Sequence, residues 1–324
     1  MLLDVARHKL YEAVITLSVI ALAMVISGIL LADGSTVYGG GAPLGVLVDN
    51  FQYKHNILAT IIGFVLSIHL CFGLTRATVR SHLYGANSFA MMSILPLVLL
   101  IFATQGATLL NIVIALLSCE SLRRILFAFN SDRRQQALFE AMFALGIMPL
   151  IESSLFIIVC LSPLILVSLR CSLRETIIGV VGAFLPIFIY AYVVWFGGAG
   201  FWQCVAEFYE RMLTPASESI MGVMTIPHLA ACALLGLLGV GSIALYLSNR
   251  MSMTLATRHA WRFILSAIVM LAASFALLPS ASTTLLLAVA VMVSLITPIL
   301  FLRLNIPLAT LVYVILLGCA IAVI

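Results

Sequence analysis

The sequence predicts an all-α fold, a polytopic transmembrane helical bundle of about 11 spans with its N-terminus in and its C-terminus out. Three observations predict it. Hydrophobic residues make up 64% of the 324 positions and charged residues only 9%. A water-facing domain carries about 25% charged residues, so lipid must be the solvent for most of this surface.

The second observation is a series of apolar runs near 12–32, 56–75, 88–104, 107–121, 136–150, 153–169, 175–196, 227–248, 263–278, 283–302 and 306–324. Most approach the roughly 20 residues that a spanning helix needs. Together they use most of the chain and leave loops, so a single integral membrane domain covering residues 1–324 is expected.

The third is where the positive charge falls. If the runs alternate direction, every one of the 16 Lys and Arg residues except Lys54 and Arg211 lies on the side of the N-terminus. Basic residues concentrate on the cytoplasmic side of membrane proteins. The net charge of +4 therefore reports topology rather than an acidic partner, and nothing in the sequence predicts nucleic-acid binding.

Arg7 and Lys9 precede the first run, which is too long for a signal-peptide core and has no A-x-A site after it, so it reads as an uncleaved span. The outer segment 33–55 holds the Gly-rich stretch Tyr38–Pro43, then apolar Leu44–Val48, then Asp49. The paired runs within 88–121 and 136–169 are short, which suits tilted hairpins or half-spans. Pro96, Pro163 and Pro186 lie inside runs, as membrane helices tolerate.

A second outer segment covers 197–226. Phe201, Trp202, Val205, Phe208, Tyr209 and Met212 recur there at helical spacing, with Glu207, Glu210 and Arg211 opposite. An amphipathic helix is expected, lying in the outer interface or packed on the tops of the spans.

The seven cysteines are scattered without CxxC or metal-like spacing, so neither a metal nor a cofactor is expected. Dinucleotide, P-loop, zinc-protease and serine-hydrolase motifs are absent, and Gly39 to Gly41 reads as a flexible turn. Glu120 and Glu140 stand within reach of Arg123, Arg124, Arg133 and Arg134, which predicts structural ion pairs. His69 falls deep in the second run, where an interhelical hydrogen bond is expected. Glu152 falls at an outer turn and is expected to be solvated.

The outer segments collect the remaining candidates, among them Asp33, Asp49, Lys54, Glu207, Arg211 and His228. A carboxylate there suits a general base on an acceptor hydroxyl, and a lysine or arginine suits a lipid phosphate. Each taken singly reads first as a solvated loop charge.

The stretch 111–197 resembles GT-C type membrane glycosyltransferases. It shows a span ending in Ser121-Leu-Arg-Arg124, a Gly-containing helix over 137–146, an apolar span, the basic turn 169–175 and a span with Gly179 and Pro186. It is also similar to a functionally uncharacterised multi-pass inner-membrane family of Bacteroidetes, a likeness that extends to residues 50–110 and the last spans.

The GT-C resemblance implies an acidic residue in the first outer loop that acts as catalytic base or binds metal. Asp49, with Asp33 second, stands in that loop. The loop here is short for that group and lacks its Asp-Asp or Asp-Glu pair. The implied activity is transfer from a polyprenyl-phosphate-linked sugar at the outer leaflet of the bacterial inner membrane, in envelope glycan assembly. Lys54 and Arg211 would bind phosphate, with Glu207 and His228 also on the substrate. The alternative is a non-catalytic membrane subunit or transporter for an envelope precursor. Membrane lipid is a partner in either case.

Overall fold

Within lipid only a helix or a closed barrel satisfies its own backbone, and the computed structural model takes the helical solution. It describes residues 10–30, 42–84, 88–103, 108–129, 133–198, 224–278 and 282–323, with scattered positions between 200 and 213. No strand occurs among the described residues.

The helices are α1 (Leu10–Leu30), α2 (Pro43–Lys54), α3 (Asn56–Arg80), α4 (Ala90–Ala103), α5 (Thr108–Ala128), α6 (Arg134–Ile151), α7 (Phe156–Cys160), α8 (Ser162–Ser168) and α9 (Leu173–Phe196). After the second long segment come α10 (Ile226–Asn249), α11 (Leu255–Leu277), α12 (Thr283–Ser294), α13 (Pro298–Phe301) and α14 (Ile306–Val323).

Six stretches are long and apolar enough to cross a membrane: α3, α9, α10, Leu255–Ala276 of α11, Thr283–Phe301 across α12 and α13, and α14. They mark the chain as a multi-pass helical membrane protein. Shorter apolar helices cover Ala13–Ala23 and Ala90–Phe102.

The short helix α4 lies at the centre. Met91, Met92, Ile94, Leu95, Leu97, Val98, Ile101 and Phe102 are each 0% exposed. Around it pack α1, α3, α5, α12, α13 and α14. Its 14 residues reach about 21 Å, short of a hydrocarbon core of about 30 Å. Because it touches protein on every side, it needs no such length.

Beside this centre, α5, α6 and α9 pack in series. Small residues allow the close approach. A Cβ on Gly146 would run into the Ala183 carbonyl, and one on Gly182 would meet the Phe139 carbonyl.

Two expected runs are not continuous helices. The stretch 153–169 is a 3₁₀ turn (Ser153–Leu155), then α7, then α8, with a break at Leu161. Pro163 in the first turn of α8 explains the break, since proline cannot continue a preceding helix. The stretch 283–302 is likewise divided before Pro298, and the Tyr84 hydroxyl donates to the Leu295 carbonyl there at 2.9 Å.

Contacts between helix termini define two ends. At one, α2 meets the start of α5 and the end of α6, and Glu152 meets the cap of α12. At the other, Phe129 beyond α5 meets His259 on α11, and Arg134 meets Glu175 at the start of α9. Lys54 belongs to the first end; Arg134, Arg170, Arg250, Arg258 and Arg262 gather at the second.

Candidate functional site

The site is assembled by α2, which lies in the segment expected to be a loop. Pro43 starts the helix with a φ already suited to its first turn. Gly45 then sits against the Ile151 carbonyl, so close that no Cβ would fit. Further along, the Gln52 side chain accepts from the Leu109 backbone N–H at 3.0 Å, supplying a first-turn donor of α5 with a partner. Held at these two points, α2 lies across the ends of α5 and α6 and turns Asp49 inward.

Asp49 is 7% exposed, and burial pushes its carboxyl from 3.8 up to about 6. Its Oδ2 has no hydrogen-bond partner among the described residues. The rest of α2 is open: Leu47, about 160° round the axis from Asp49, and Tyr53, one turn on from Asp49, are 63% and 67% exposed, and Asn50 and Lys54 are exposed between them.

Glu152 follows α6 with an extended backbone and is 4% exposed. Burial pushes its carboxyl up to about 7, with the nearby Asp49 adding to the rise. Hydrogen bonds from Ser154 (3.2 Å) and Ser282 oppose it. The expectation of a solvated Glu152 is therefore corrected: α2 roofs the turn and water is excluded from it. Nearby on α5, Asn111 donates from Nδ2 to the Phe102 carbonyl at 3.1 Å, while its Oδ1 finds no partner among the described residues.

Raised by burial to about 6 and about 7, both carboxyls bind a proton more readily than exposed ones do. Such a pair can accept a proton from a hydroxyl or pass one on.

Of the predicted site residues, Asp49 stands within electrostatic reach of Glu152, which is not one of them. The signal for Glu152 was present as the run Glu152-Ser153-Ser154, a carboxylate followed by a donor. Lys54 ends the same helix but is exposed, about 140° round the axis from Asp49. His228 is 4% exposed and pairs through Nδ1 with the Thr225 hydroxyl at 2.6 Å; it faces the backbone of Ile101 rather than Asp49. Asp33, Glu207 and Arg211 lie outside the described residues, as does most of the expected amphipathic helix.

No family model, curated protein or solved structure matches this chain.

Glu120 and Glu140 form ion pairs as expected, with Arg123 and Arg124, whereas Arg134 pairs with Glu175 instead. Arg123 and Arg124 hold Glu120 at 2.7 and 2.8 Å, and Arg124 bridges on to Glu140. His69 differs: it is exposed at the rim of a crevice shared with Glu120 and Arg123, and no hydrogen bond reaches it among the described residues. The cause is its helix face, because the buried positions of α3 (Gly63, Ser67, Leu70, Cys71, Leu74) lie to the other side.

Proposed function

We propose that this chain is an enzyme of the bacterial inner membrane that transfers a sugar from polyprenyl phosphate at the outer leaflet, in envelope glycan assembly. It has about 11 spans, with the N-terminus in, the C-terminus out and α2 on the outer side. Asp49 is the general base. The observation that supports this reading is the buried Asp49 carboxyl, raised to about 6 within electrostatic reach of Glu152, on a short helix that leaves Leu47 and Tyr53 exposed. A base poised near the working pH is the useful kind.

In the transfer, Asp49 takes the proton of an acceptor hydroxyl. The hydroxyl oxygen bonds to the anomeric carbon, the bond from that carbon to the phosphate oxygen breaks, and polyprenyl phosphate leaves with the electron pair. Lys54 and Arg211 meet the phosphate charge, Glu207 meets the sugar, and Asp33 assists Asp49. The exposed side of α2 offers the polyprenyl chain a route from the bilayer.

The test replaces Asp49 and Asp33 together by Asn in the host and profiles lipid-linked and envelope glycans. The profile should match that of a deletion strain, with the variant protein still present in the membrane. An unchanged profile would remove the reading.

The same carboxyl pair supports a second reading, a proton-coupled transporter for an envelope precursor, because buried protonatable groups in membrane proteins often relay protons. Precursor uptake into proteoliposomes, driven by a pH gradient and lost in E152Q, would select it. Uptake indifferent to both carboxylates would leave a non-catalytic subunit.

A further inference from the structure

The end opposite the carboxyl pair gathers arginines from separate segments. Arg134 starts α6, Arg170 sits in the turn after α8, Arg250 follows α10, and Arg258 and Arg262 stand one turn apart on α11. Arg262 is within electrostatic reach of Arg170, Arg250 and Arg258, and His259 is within reach of Arg134, Arg170 and Arg262.

Aromatic stacking fixes part of the group. The Phe129 ring lies on His259 at 4.1 Å with 5° between planes, and the Arg134 guanidinium stands 4.6 Å from the centre of the same ring. Arg170 adopts a left-handed backbone with φ 55°, rare for a residue with a side chain.

Carboxylates do not balance these charges. Glu175 pairs with Arg134 at 3.1 Å. Among the described residues no carboxylate stands within ion-pair distance of Arg170, Arg250, Arg258 or Arg262. Two buried polar atoms there are also without a hydrogen-bond partner: Arg258 Nε and Nδ1 of His259, which is 7% exposed.

Topology alone asks only for basic residues somewhere in the loops on one side. It does not ask for four segments to bring guanidinium groups together against their mutual repulsion, nor for a buried donor with nothing to donate to. A bound anion would answer both. Planar guanidinium groups suit the oxygens of a phosphate, each able to give two parallel hydrogen bonds.

We propose that Arg170, Arg250, Arg258 and Arg262 form a binding site for a phosphate group, carried by an anionic lipid or by a soluble phosphate compound. The site is separate from the carboxyl pair and does not depend on the transfer reaction assigned to it.

The test measures thermal unfolding of the full chain in neutral detergent with two probes, phosphatidylglycerol in mixed micelles and inorganic phosphate. At least one probe should raise the melting temperature of the unmodified protein. Half-saturation by that probe should need at least tenfold more of it in R258Q/R262Q, and should be unchanged in R174Q, which alters an exposed arginine on α9. If R258Q/R262Q does not fold, R170Q/R250Q, with both positions exposed, serves instead. A response to phosphatidylglycerol alone identifies a lipid headgroup, and a response to inorganic phosphate a soluble ligand. Absence of stabilisation by either probe, or the same response in the variants, would overturn the proposal.

Discussion

Glu152, just beyond α6, is buried within electrostatic reach of Asp49 on α2, and the two carboxyls stand at about 7 and 6. Both values lie above those of exposed carboxyls, so the folded state holds its protons more tightly than the unfolded chain. Between about pH 4 and 7 the folded form therefore carries more protons, and stability rises as the pH falls. Thermal unfolding in detergent should show a gain of about 4 kcal/mol from pH 8 to pH 5. E152Q should remove most of that slope, and D49N a smaller part.

Gly45 sets the depth of α2. In G45A the new Cβ meets the Ile151 carbonyl, so α2 must lift away from α6. The expected cost is about 1–3 kcal/mol. Once lifted, the helix admits water to Asp49, and the pH slope should flatten although both carboxylates remain. Denaturation of G45A at pH 5 and pH 8 checks both effects, and an unchanged slope with lost stability would separate packing from titration.

Arg124 joins α5 to α6 by holding Glu120 and Glu140 together, whereas Arg123 reaches Glu120 alone. R124Q removes the link between Glu120 and Glu140 and should cost about 1 kcal/mol, the groups being partly exposed. R123Q should cost under about 1 kcal/mol, since Glu120 keeps Arg124. Equilibrium unfolding of the two variants side by side gives the order.

Tyr84 closes the break between α12 and α13 through its bond to the Leu295 carbonyl, with both groups buried. Y84F removes the donor without changing the shape much. A loss of about 1 kcal/mol is expected, with the protein still folded.

Much of the fold could be read from the sequence. The bounds of α3, α9, α10 and α14 follow from runs of apolar residues, and the pairs of Glu120 with Arg123 and Arg124 follow from helical spacing. Hydropathy, however, treats lipid and protein as the same apolar surroundings. It could not tell that Leu97 and Phe102 face only protein, or that α4 can be shorter than the hydrocarbon core because protein surrounds it. Asp49 was visible as an acidic residue in an outer segment. Its partnership with Glu152 was not, because it depends on Gly45 seating α2 on α6 and on Ser282, far along the chain, reaching the same turn. A charge at a turn is ordinarily hydrated, and only the placement of α2 changes that.

The enclosure of α4 has a consequence for how the protein is made. Two of the helices that cover it, α12 and α14, are made long after α4 itself, so one flank of α4 stays open until they have been synthesised. A ribosome stalled before residue 283 would leave this helix without its final cover. Membrane proteases and insertion chaperones would meet their substrate in that interval, and its length is set by the rate of elongation.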